Sequence, residues 1–125
     1  MKKVYLIEGE KGSGKSKWIH DKKDELISSG WELIKPHNSP DRDTDASDWN
    51  TAIFVLKRES QIAVLNSGSD TKLIIEKFRD FLSGYTDVSE VYTAIRPRKK
   101  NPRLHKWMKD ALNVLGTTEE IKVYL

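Results

Sequence analysis

The chain has 125 residues, which bounds it to one domain spanning 1–125. Hydrophobic residues make up 37% and include four Trp, four Tyr and three Phe, enough for a modest core and against disorder. The absence of cysteine excludes disulfides and cysteine-based zinc sites, and a net charge of +3 permits anionic ligands without requiring nucleic acid. No apolar stretch approaches the ~18 residues of a membrane span. The first apolar run is too short and too soon interrupted by charge for a signal peptide. The expectation is a cytoplasmic protein with no membrane partner.

The first element in chain order is Val4-Tyr5-Leu6-Ile7, a continuous apolar run that reads as a buried strand. Gly9-Glu10-Lys11-Gly12-Ser13-Gly14-Lys15-Ser16 follows and fits the pattern G-x-x-x-x-G-K-[ST] at every fixed position. Gly9, Gly12 and Gly14 would let the backbone turn tightly and aim its N–H groups at a polyphosphate. Lys15 would reach the β- and γ-phosphates, and the Ser16 hydroxyl would ligate Mg²⁺. Residues 15 to 29 read as a helix carrying Lys17, with Trp18, Ile19, Leu26 and Ile27 near one face and Gly30 as its stop. Its positive N-terminal end would face the same anion. The plain alternative is a Gly/Ser/Lys-rich surface turn, but strand, glycine loop and helix form the context that the motif requires.

Trp31 to Lys35 reads as a second strand, ended by Pro36. Residues 36 to 50 read as a polar loop. Asp41, Asp43, Asp45 and Asp48 in it begin like a calcium loop, which then fails, because Ala46 stands where glycine is needed and Ala52 where the bidentate Glu belongs. A solvated loop is the simpler reading; a substrate- or metal-facing loop is the functional one. Thr51 to Lys57 and Gln61 to Asn66 read as strands so close that they must form an antiparallel hairpin. A helix is expected over 71–83 and stopped by Gly84, a strand over 88–95, and a helix opened by Asn101-Pro102 and closed by Gly116. The strand 121–125 closes the chain. The fold class expected is α/β, three-layered, with a mixed but mainly parallel sheet containing one hairpin.

The chemistry would then gather around the glycine loop. No strand ends directly in Asp, so the acidic partner of Mg²⁺ falls to Asp70 or Asp48. Asp70 has a competing role as cap of the following helix. Arg96 and Arg98 stand at the end of an apolar strand, where a ligand crevice opens in parallel sheets, and would stabilise a transferring phosphoryl group. Between residues 91 and 109 lie seven Lys/Arg and no acid. His20, His37 and His105 lack metal-ligand spacing and read as surface residues; Trp18 and Trp107 read as core.

At the level of the loop the chain resembles P-loop NTPases. The succession of hairpin, Ser67-Gly68-Ser69-Asp70, helix, apolar strand and Arg96-Pro97-Arg98 is similar to small, mostly uncharacterised P-loop ATP-binding proteins of bacteria and phages. The arginine segment lacks the glycine that often follows in them. The resemblance implies nucleotide binding: ATP, or GTP, with Mg²⁺. An Asn-Lys-x-Asp guanine-reading run is absent. Two functions are expected from these features. One is a small phosphotransferase or ATPase in which Gly9 to Lys17 hold the nucleotide, Ser16 and Asp70 the metal, and Lys15, Arg96 and Arg98 act on the phosphoryl group. The other is a nucleotide-dependent module associated with nucleic acid or a protein partner through the basic 96–106 segment.

Overall fold

The computed structural model describes residues 2–10, 12–37, 53–85 and 87–125. The elements are β1 (Lys2–Glu8), α1 (Lys15–Ser28), β2 (Glu32–His37), β3 (Ile53–Arg58), β4 (Gln61–Asn66), α2 (Lys72–Ser83), β5 (Val88–Ile95), α3 (Pro102–Leu112), a 3₁₀ turn over Asn113–Leu115, and β6 (Thr118–Tyr124). The fold is α/β. Its six strands form one mixed sheet in the order β2-β3-β4-β5-β1-β6. β1 pairs in parallel with β5 and β6, and β4 with β5, while β3 runs antiparallel to both β2 and β4.

The sheet is covered on both faces. Ile75, Phe78 and Leu82 of α2 and Met108, Ala111 and Leu112 of α3 pack with Val4, Leu6, Val55, Val64, Val91 and Ile95. Ile19 and Leu26 of α1 pack on the opposite face with Ile7, Phe54, Leu56, Leu65 and Tyr92. Alternate residues of β1 thus feed both cores, which is why Val4 to Ile7 shows no polar alternation in sequence. Tyr5 and Tyr92 stack across β1 and β5 with ring centroids 4.4 Å apart.

This arrangement sets the position of the site. The helix after β1 lies on one face and the helix after β5 lies on the other, and β1 and β5 are adjacent. Such a reversal opens a crevice at the carboxyl ends of the two strands. The glycine loop leaves β1 there, tied to β5 by Gly9 N–H donating to the Ile95 carbonyl at 3.2 Å.

Several expectations need correction. Pro36 does not end the second strand; β2 runs to His37, because it lies at the sheet edge, where proline is tolerated, and a register shift between Leu33 and Lys35 relaxes the pairing. The hairpin turn is Glu59-Ser60, with Glu59 at φ 55°, the sign that two-residue hairpin turns demand. The last strand begins at Thr118, three residues early, because parallel pairing to β1 holds it. His20 is buried, edge-on to Phe54 with centroids 4.9 Å apart, and is not a surface residue. Trp31 is buried beside Leu26: its N–H donates to the Leu26 carbonyl at 3.0 Å and that of Gly30 to Ile27 at 3.1 Å, a Schellman closure with Gly30 at φ 104°. The polar loop with Asp41, Asp43, Asp45, Asp48 and Trp49 lies outside the described residues, as do Thr51 and Ala52. No helix of the described chain is long and apolar enough to cross a membrane.

Candidate functional site

The site starts from two glycines. Gly12 has φ 80° and Gly14 φ 95°, values that an L side chain adopts only at a cost of roughly 1–2 kcal/mol, and a Cβ on either would meet nothing within 4 Å. The two residues therefore bend the chain over open space. Gly14 is also the N-cap of α1 and makes no side-chain capping bond to the first amides of the helix. They face a cleft of about 270 Å³ lined by Gly12, Gly14, Lys15, Ser16, Lys17, Ser67 and Asp70. The amides of the first helical turn and the positive end of the helix make this cleft favourable for an anion.

Lys15 supplies the local charge. It is buried, and its Nζ donates to the carbonyls of Gly9 (2.8 Å) and Glu10 (2.9 Å), wrapping the loop around the amine. Burial first, and then the neighbouring Arg96, hold its pKa below the ordinary 10.5, partly opposed by Asp70 and Glu10. Gly9 is buried under the loop, and a Cβ there would stand 2.2 Å from the Ser13 hydroxyl, so the loop closes tightly on itself. Ser13 N–H donates to the Glu10 carbonyl at 3.0 Å. The exposed Glu10 carboxylate lies 3.9 Å from Lys100, and the Lys17 amine pairs with Asp21 at 2.7 Å. Lys11 lies outside the described residues.

The far wall comes from the turn after β4. Asn66 is buried at the strand end. Its amide donates to the Gly68 carbonyl (2.8 Å) and the Thr93 hydroxyl (3.0 Å), and its side-chain oxygen accepts from Gly68 N–H at 3.1 Å. That closed turn carries Ser67 and Asp70 into the cleft wall. Asp70 does not cap α2. Thr71, in extended conformation, takes that role and accepts from Ile74 N–H at 3.2 Å, which frees the Asp70 carboxylate. Its Oδ1 accepts from Arg96 Nε (3.2 Å) and from the terminal guanidinium nitrogen (2.7 Å). Oδ2 has no protein partner among the described residues.

Arg96 is therefore a buried, paired guanidinium at the edge of the site, not a free one. Its carbonyl lies 2.9 Å from His105 Nδ1 on α3, which is also 3.7 Å from Glu8 Oε1. His105 is largely buried and binds the strand end, in contrast to the surface role expected for it. Arg98 stands apart: it is exposed and borders a separate depression of about 470 Å³ with Pro102, His105, Lys106 and Lys109. Of the residues expected to act together, the fold gathers Gly12, Gly14, Lys15, Ser16, Lys17 and Asp70, with Arg96 behind Asp70. It adds Ser67, the first residue of the Ser67-Gly68-Ser69-Asp70 turn, to the cleft wall and His105 behind Arg96, the latter marked by no local pattern.

No three His, Cys, Asp or Glu among the described residues stand together as a metal cage. The Ser16 hydroxyl and Asp70 carboxylate across one cleft are hard oxygen donors, a set that suits Mg²⁺ when phosphates and water complete its shell. No protein-family model matches the chain, and no curated protein or solved structure matches it at a significant level.

Proposed function

We propose that the chain binds a purine nucleoside triphosphate, ATP before GTP, with Mg²⁺ at the 9–16 loop, and transfers or hydrolyses its terminal phosphoryl group. The proposed class is thus a P-loop phosphoryl-transfer protein, and within it a small kinase-like enzyme or ATPase. One observation carries the reading: a buried lysine at the mouth of an uncapped helix N-terminus, beside a hydroxyl and a carboxylate that line the same cleft.

The roles follow from the chemistry of each group. The amides of Gly12, Gly14, Lys15 and Ser16 donate to phosphate oxygens, while that of Ser13 is held by the Glu10 carbonyl. The Lys15 ammonium adds a fixed positive charge in a partly desolvated place, where charge pairing is stronger than in water. Ser16 and Asp70 supply oxygen ligands for the metal. Bound Mg²⁺ would neutralise phosphate charge and polarise the terminal group. Arg96 fixes the Asp70 carboxylate through two donors on one oxygen, leaving the other oxygen for the metal.

The test is titration calorimetry with Mg²⁺-ATP and Mg²⁺-GTP, followed by assays of phosphate release and of transfer to nucleosides, nucleotides and sugars. The expected result is binding that weakens on Mg²⁺ removal, with turnover alone or on one acceptor class. No binding of either nucleotide by the folded protein would overturn the proposal, and binding without release or transfer would overturn its catalytic half.

A further inference from the structure

The positive charge of this protein is not spread evenly. Six of its 22 Lys and Arg residues fall between residues 96 and 106, where there is no Asp or Glu; the rest of the chain holds 16 against 19 acids and is net negative. Elsewhere several basic side chains pair with acids close by in sequence. Lys17 pairs with Asp21 at 2.7 Å and Lys22 with Glu25 at 3.1 Å, while Lys72 lies 3.9 Å from Glu76. Arg98, Lys99 and Arg103 are exposed and make no ion pair among the described residues, and Lys100 reaches Glu10 only at 3.9 Å.

These side chains form a strip. The turn after β5 presents Arg98, Lys99 and Lys100 beside the glycine loop. α3 continues from it with Arg103, Lys106 and Lys109, of which Lys106 pairs with Asp110 and Lys109 with Glu120. From Pro102 to Lys109 the helix advances about 10 Å, so turn and helix together span about four phosphates of a nucleic-acid strand. None of these cations is buried in the manner of Lys15, so the strip is not an enclosed pocket for one small anion. Trp107 is turned toward α2, with Lys72 5.2 Å from its ring, so the strip has no aromatic platform for bases.

We propose that this strip is a docking surface for the phosphodiester backbone of nucleic acid, read by charge and not by base sequence. The inference does not rest on the nucleotide reading, because the strip and the cleft use different residues.

The test is fluorescence anisotropy of a labelled single-stranded DNA, with RNA and duplex competitors, in the absence of any nucleotide. Four cations on the strand predict a slope of about −3 in log K against log salt. The triple variant Arg98→Gln, Lys99→Gln, Lys100→Gln is expected to weaken binding about tenfold or more. Lys3→Gln, Lys57→Gln, Lys77→Gln, which removes the same charge from exposed positions elsewhere, is expected to stay within about twofold. All six positions are exposed, and circular dichroism checks that both variants remain folded. No binding by the wild type at low salt, or equal losses in the two triple variants, would overturn the proposal. Displacement of the DNA by polyglutamate at matched charge would overturn it in favour of an acidic protein partner.

Discussion

Replacing Lys15 by Met is expected to lower Mg²⁺-ATP affinity by about 100-fold or more while leaving thermal stability unchanged or raised. Charge-assisted hydrogen bonds are worth about 1.5–3 kcal/mol each, and about 1.4 kcal/mol is tenfold in affinity. In the protein itself the amine carries a cost. It is buried, it lies near Arg96, and its pKa is pushed down from 10.5, so its charged form is less favourable in the folded chain than in the unfolded one. A methionine keeps the volume and removes the charge. The sign in pH follows from the same shift. A lysine with a depressed folded pKa binds fewer protons folded than unfolded just below 10.5, so wild-type stability gains on Lys15→Met as pH rises through that alkaline window. Nucleotide affinity moves the opposite way, falling as Lys15 deprotonates at a pH below 10.5. Thermal scans and titrations of both proteins between neutral and alkaline pH check the two slopes. A large loss of stability in Lys15→Met at neutral pH would show that the amine is a structural tie to Gly9 and Glu10 and not a charge held for a ligand.

The second large effect is expected at Asp70. Changing it to Ala leaves Arg96, whose side chain is 10% exposed, beside Lys15 without its anion. Breaking a fully buried pair in this way costs about 3–5 kcal/mol. The Asp70 side chain is 59% exposed and already solvated, so about 1–3 kcal/mol is expected here. Urea unfolding measures it. Arg96→Met in the same chain removes the stranded guanidinium, so the double variant should be destabilised by less than the sum of the two single changes. Additive losses would mean that the two residues act independently. The Mg²⁺ dependence of nucleotide binding should also fall in Asp70→Ala, which a purely structural pair would not change.

The legible parts of this molecule are the local ones. The strand, glycine loop and helix from Val4 to Ser28 depend on neighbours within a few residues, so motif, apolar run and Gly30 stop were all readable. β5 has the limits that its sequence suggests, because an apolar strand between Asp87 and Arg96 has clear edges. The mixed sheet followed from the short spacing between β3 and β4. Pro36 reads locally as a strand end, because only tertiary context tells an edge strand from a central one. The Arg96–Asp70 pair joins residues 26 apart through the parallel neighbours β4 and β5, and His105 reaches Arg96 from a helix on one face of the sheet. Each residue could be singled out alone, but their contacts depend on strand order, which no local spacing encodes. Sequence alone allows Asp70 to be cap or ligand; in the structure Thr71 takes the cap.

The central claim is that the backbone of the 9–16 loop holds a triphosphate. Amide NMR shifts recorded during titration with Mg²⁺-ATP test it most directly, because they report on the groups said to make the contact. The largest shifts are expected at Gly12, Gly14, Lys15 and Ser16, with smaller ones at Ser67 and Asp70 across the cleft. Saturable shifts centred elsewhere on the sheet, or none at all in the folded protein, would contradict it.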